Sequence, residues 1–311
     1  MTKDAALSHG RGGEDFAAIL ARKRREIAER GDLPDGTAAE RLELIEQLAG
    51  FPLGRFLLEN RGLNGYWTDR VIEHPDRGRA SGRAPDGRPL TPLERQLLDR
   101  FPIVLATQER ARFFATAIQA RIAEGAVFAS IPCGLMRDLL ARDYGNAPGV
   151  RLVGIDIDQE SLDLATRLAA DYGLTGAASF RRSDAWALGS ESAFDLIASN
   201  GLNIYEPDEA RVIALYRAFF EALKPGGVLV TGFLTPPPAL DPSCEWDRTA
   251  LDPEATRLQK IVFADIIGAA FQCYRSSETS KAQLAAAGFD SLDLLWDRAK
   301  MFPTVIARKS S

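Results

Sequence analysis

The stretch AVFASIPCGLMRDLL, residues 126–140, decides how this chain is read. Its first six residues are a short apolar run, and Pro132, Cys133 and Gly134 end it. A buried strand bounded by turn residues has this form. Gly134 permits close backbone approach, Pro132 fixes the turn, and the residues that follow read as a helix offering its N-terminus. Further apolar runs succeed it, RLVGIDI (151–157), FDLIAS (194–199), GVLVTGF (227–233), FDSLDLLW (289–296) and FPTVIAR (302–308), with ASFRR (178–182) as a short strand among them. Helical sequence or a loop separates most of them. Such alternation predicts an α/β fold, a doubly wound and mostly parallel sheet of seven strands covered on both faces. The last two runs are joined by DRAKM, too short for a helical crossover. They are expected to be antiparallel neighbours, giving one reversed strand at the end of the sheet.

The 311 residues suit one large α/β domain with an added piece, or two modest domains. A net charge of −5 and the lack of a long basic run argue against a nucleic-acid binder. The polar N-terminus has no signal-peptide core, and no long uncharged apolar stretch predicts a membrane span. Cys133, Cys244 and Cys273 are too widely spaced for a disulfide framework or a zinc site. His9 and His74 are too few for a histidine metal centre. A reducing cytoplasm is the expected location, and no metal is expected.

About 125 residues precede the first strand, and they read as a helical cap over the ligand-binding edge of the sheet. Residues 1–13 read as a disordered lead, 14–30 as a helix, 37–60 as helices broken at Pro52, and 91–124 as helical with a break at Pro102. The segment DRGRASGRAPDGRP, 76–89, reads as an exposed loop. The chain thus divides at 125/126, with 126–311 as the catalytic domain. Residues 235–273 form a second cap, longer than a strand-to-helix turn requires. Enclosing a small substrate is one use for it, and a homodimer interface is another. An enclosed site disfavours a macromolecular substrate.

In open α/β sheets, ligands bind beyond the carboxyl ends of the strands. Asp156 stands at the end of the second strand, about 20 residues past the first turn, where an acid meets ribose hydroxyls. Asp184, in RSDAW after the third strand, is placed to accept from an adenine amino group. Cys133 reads as a small buried residue, since nothing in its sequence neighbourhood activates a thiol.

In this order and spacing, SIPCGL (130–135), GIDID (154–158), SDAW (183–186), FDLIASN (194–200), LKPGGVLV (223–230) and the closing strand pair resemble the class I S-adenosylmethionine (SAM) dependent methyltransferases over residues 126–310. The resemblance implies a Rossmann-like methyltransferase fold with SAM as cosubstrate. It implies that Asp156, followed by Ile157, holds the ribose and that Asp184 and Ala185 meet the adenine. Ser130, Pro132 and Gly134 then pass under the methionine end, and Asn200 faces the substrate. Tyr205 and Asn200 are candidate orienting groups in the sheet domain. In the helical part, NRGLNGYWT (60–68) brings Tyr66 and Trp67 forward as aromatic faces for the sulfonium. Gln108 and Arg110 of the helix before the first strand have polar groups able to reach a carboxylate.

The family pattern has an acid where this chain has Ser130, and glycines where it has Pro132 and Met136. The leading reading remains methyl transfer to a small molecule. A second reading rests on the missing acid. Without a carboxylate nearby, the SAM α-amine is more easily neutral. It then attacks its own γ-carbon to give azetidine-2-carboxylate and methylthioadenosine. A third is a non-catalytic, SAM-binding regulatory protein. A dinucleotide oxidoreductase is disfavoured, since the three-glycine fingerprint is missing.

Overall fold

A computed structural model describes residues 15–145 and 147–310. The lead read at residues 1–13 and His9 lie outside them. The chain forms two compact units.

The sheet unit comprises Ala106–Asp247 and the chain from Gln272 onward. Its strands are β1 (Val127–Ser130), β2 (Arg151–Asp156), β3 (Ala178–Arg182), β4 (Phe194–Ala198), β5 (Leu223–Gly232), β6 (Ser291–Leu295) and β7 (Thr304–Arg308), in spatial order β3-β2-β1-β4-β5-β7-β6. All pairs are parallel except those made by β7. The reversed strand is therefore not at the sheet edge as the sequence suggested. The crossover from β5 sets β6 down one strand-width out, and the short return lays β7 into the gap.

The period-two pattern explains why the sheet is covered twice. Val127, Ala129, Ile131, Ile155, Ile197 and Leu229 point into one apolar cluster. Phe128, Leu152, Leu196, Ala198, Val228 and Val230 point into the other. The first is closed by Val212, Leu215 and Phe219 of a helix at Glu209–Ala222 and by Leu284 of a helix at Ser277–Ala287. The second is closed by Phe114 and Ile118 of a helix at Pro102–Gln119 and by Leu162 and Ala165 of a helix at Gln159–Asp171. Gly154 marks a close approach in β2, where an added Cβ would sit 2.6 Å from the Phe180 ring. The helix expected after β1 is a single turn, Arg137–Leu140, so it offers no long helix N-terminus.

The helical unit holds the residues up to Leu105 and also Arg248–Phe271. The division at 125/126 is thus corrected. The boundary falls inside the Pro102–Gln119 helix, whose first turn packs with one apolar cluster and whose later turns pack with another. The expected 235–273 cap also divides, because Leu258, Ile261, Val262, Ile266 and Ile267 bury themselves among the N-terminal helices. The buried Lys23 ammonium donates to the carbonyls of Ile266 and Ile267, and Arg61 donates to Gly268 O at 2.6 Å. Residues 76–81, expected in a loop, continue a helix at Gly65–Ser81 that runs through Pro75. Its stop is supplied by Gly82 at φ 64°, the left-handed conformation glycine adopts freely. His74 and Arg79 on this helix share Asp99 at 2.9 and 2.7 Å, which favours its continuation. The breaks at 50–51 and 101 place Pro52 and Pro102 at helix starts, where a missing N–H costs nothing. Among the described residues, no helix is long and apolar enough to cross a membrane.

Candidate functional site

The chain order reverses at β1, whose neighbours are β2 and β4, and those predicted site residues that belong to the sheet unit lie at or just past the strand ends on that side. Asp156 ends β2. Its Oδ2 accepts from Gly134 N at 2.9 Å and its Oδ1 from Asp158 N at 3.0 Å. Cys133 N donates to Ile155 O at 2.9 Å, so the turns after β1 and β2 are laced together. Gly134 has φ 47°, and the Ile131–Pro132 peptide is cis. Burial pushes the Asp156 carboxyl above its ordinary value. Each of its oxygens keeps a lone pair for a ligand hydroxyl. Beside it Ile157 leaves 44% of its surface in water, unusual for a large apolar side chain at a strand end.

The turn after β3 adjoins this pair. Ser183 N donates to Asp156 O, and Asp184 Oδ1 accepts from Trp186 N at 3.0 Å. Asp184 is exposed. Ala185 packs its methyl into the core, which leaves its backbone for a ligand. Trp186 is fixed by its indole bond to Arg211 O and by the Arg211 guanidinium over its ring. Cys133 is buried, and burial raises its thiol well above the usual range, as befits a packing residue.

At the methionine end the structure departs from the sequence reading. Ser130 is fully buried, and its hydroxyl donates to Asp138 Oδ2 at 2.9 Å. The same oxygen accepts from Asn200 Nδ2 at 3.0 Å. The Asn200 carbonyl in turn accepts from Arg110 Nη1 at 3.2 Å. A carboxylate therefore stands at Ser130 after all, delivered from the next helical turn. The absence of an acid inferred from SIPCGL is corrected: Asp138 is a candidate site residue that the sequence reading missed. Its signal, an acid eight residues past the strand end, is visible only once the turn is folded back. Enclosure raises the Asp138 carboxyl to about 6, opposed by the hydrogen bonds from Ser130, Leu139 N and Asn200 and by Arg142.

Arg110 is held on a built platform. Its guanidinium lies 4.2 Å from the Phe302 ring centroid and 5.2 Å from that of Phe114. The buried Asp297 carboxylate accepts from the backbone N–H of Ala299, Met301 and Phe302, and so seats Phe302. Asp297→Ala orphans three buried donors and is expected to cost about 2–4 kcal/mol, read as a fall in Tm. Tyr205 closes a 3-10 turn, Leu202–Tyr205, after Asn200, and its hydroxyl bears electrostatically on Arg110. Tyr66 and Trp67 belong to the helical unit. Their rings meet edge to face at 5.0 Å, Arg70 lies over Tyr66, and Trp67 packs against Phe56 and the apolar cluster there.

A doubly wound sheet with a reversed seventh strand, an acid at the end of β2 and a carboxylate at the end of β1 defines a Rossmann-like domain for a nucleoside ligand. A family model for a methyltransferase domain matches residues 133–227. A solved structure from Bordetella parapertussis, described as a possible exported protein, is 47% identical over 100% of this chain and 98% of its own, with a TM-score of 0.88. Magnesium protoporphyrin IX methyltransferase from Synechocystis, solved with S-adenosylhomocysteine (SAH), shares the fold at 14% identity and a TM-score of 0.50, over 79% of this chain and 99% of its own. The curated proteins gave no match. Residues 133–227 match a methyltransferase domain, the sheet unit has the class I SAM-dependent methyltransferase fold, and SAM is its cofactor.

Proposed function

We propose that this protein transfers a methyl group from SAM to a small molecule in the cytoplasm. The observation that carries the reading is the pair of carboxylates at adjacent strand ends, Asp156 beside Gly134 and Asp138 beside Ser130. Asp156 has spare lone pairs for the two ribose hydroxyls, and Ile157 offers an uncovered apolar face to the adenine. Asp184 and the Ala185 backbone meet the adenine edge. Asp138 takes the α-ammonium. SAM supplies a methyl group already activated on a sulfonium, so the residues here need only bind, orient and exclude water. Asn200, fixed between Asp138 and Arg110, and Tyr205 orient the acceptor. Unpaired Cys133, Cys244 and Cys273 agree with a reducing compartment.

The cyclisation reading depends on a neutral α-amine. A carboxylate at Ser130 favours the ammonium instead, which weighs against that chemistry. Purified protein with methyl-labelled SAM, alone and with a small-molecule cell fraction, tests the choice by mass spectrometry. SAH and a labelled small molecule are expected only when the fraction is present. Methylthioadenosine with azetidine-2-carboxylate from SAM alone would overturn methyl transfer. SAM binding with no product under either condition would favour a regulatory protein.

A further inference from the structure

Arg110 is 3% exposed, and among the described residues its guanidinium pairs with no carboxylate and donates from Nη1 to the Asn200 amide. Its Nε is enclosed and has no partner. Burying a cation this way is unfavourable unless something answers it. Desolvation accordingly lowers the Arg110 pKa to about 10, with Asp138 acting the other way through space. The surroundings are built to hold the guanidinium rather than to neutralise it. Phe114 and Phe302 present their rings to it. At Gly232, the last residue of β5, an added Cβ would lie 3.1 Å from Arg110 Cδ and 3.4 Å from the Phe302 ring. The missing side chain is what lets Arg110 lie across that strand end.

Its place along the sheet indicates what it is for. Asp156, Ile157 and Asp184 occupy the ends of β2 and β3, and Asp138 and Ser130 the end of β1. The body of Arg110 lies at the end of β5, two strands beyond β1, or about 10 Å. The ends of β2 and β1 suffice for the nucleoside and the ammonium, so the side of β4 and β5 is left to the acceptor. A guanidinium binds a carboxylate through paired, charge-assisted bonds and rejects a neutral amide. We propose that Arg110 anchors a carboxylate of the methyl acceptor, so that the substrates are small carboxylic acids. This rests on the methyl-transfer reading above.

The test uses the full chain saturated with SAH, titrated calorimetrically with benzoate, phenylacetate and 3-phenylpropionate, each against its own amide. At least one acid is expected to bind wild-type protein tenfold or more tightly than its amide. Arg110→Gln should abolish that preference and Arg110→Lys should keep part of it, with SAH affinity within threefold of wild type in both. The proposal is overturned if no acid is preferred by wild type. It is also overturned if Arg110→Gln weakens SAH itself tenfold, since the guanidinium then serves the carboxylate of the cofactor. Failure of wild-type protein to bind SAH at all overturns the methyl-transfer reading and this one together, an outcome distinct from either of those.

Discussion

Asp138→Asn is expected to weaken SAM binding about 10- to 100-fold while raising the Tm of the ligand-free protein at pH 7. The affinity loss is that of one enclosed, charge-assisted hydrogen bond, about 1.5–3 kcal/mol. The stability gain follows from linkage. The folded carboxyl titrates near 6, against an ordinary 3.8, because enclosure outweighs the bonds from Ser130 and Asn200. A carboxyl raised by folding contributes fully to stability below its unfolded value, and the contribution is lost as pH rises through 6. At pH 7 the ionised group therefore costs up to about 3 kcal/mol. Asparagine resembles the protonated form, keeps an oxygen for Ser130 and Asn200, and escapes that cost. Melting curves from pH 4 to 8 should show the wild type losing ground to the variant between about pH 4 and 6, with a constant deficit above that. Wild-type SAM affinity should fall as pH drops below 6, where the carboxylate must give up a proton to bind, and the variant should be flat there. A variant less stable than wild type at pH 7 would show that Asp138 serves packing rather than ligand binding.

The sheet was legible because burial on two faces leaves unbroken apolar runs such as AVFASI and GVLVTGF, and Asp156 stood out as a candidate because it ends a strand. Asp138 was not. Its carboxylate reaches Ser130 only because the chain turns back through Gly134 and Met136, both at positive φ, and sequence spacing does not encode that reversal. Asn200 was expected at the site, yet its role as the link between Asp138 and Arg110 depends on side chains 62 and 90 residues away. Arg110 appeared as a polar group on the helix before β1, and only the rings of Phe114 and Phe302 show where it points. The 235–273 segment was visible as a cap, but which unit its helices at Pro253–Lys260 and Ile261–Ile267 complete depends on the face they match. Composition misled at 76–81, where glycine and arginine looked like a loop and the next glycine, Gly82, makes the actual stop.

Asp156→Ala should be the more damaging change, because it loses on both counts. In the ligand-bound protein it removes both acceptors for the ribose hydroxyls, so SAM and SAH affinity should fall about 100-fold or more. In the free protein it removes the acceptor of Gly134 N, which ties the turn after β1 to the end of β2, and that of Asp158 N within the turn after β2. Two partly buried amides orphaned in this way cost toward the low end of about 1–3 kcal/mol each. Relief of the buried charge offsets part of this, since burial raises the Asp156 carboxyl too. A net loss of about 1–3 kcal/mol is expected, opposite in sign to the effect of Asp138→Asn. Calorimetric titration with SAH and a denaturation curve at pH 7 check the two halves separately. A methylthioadenosine probe, which keeps the ribose but lacks the amino-acid end, sharpens the contrast. Asp156→Ala should weaken it as much as SAH, and Asp138→Asn should leave its affinity unchanged. Equal losses of methylthioadenosine in both variants would mean that the two carboxylates do not divide the ligand between ribose and ammonium.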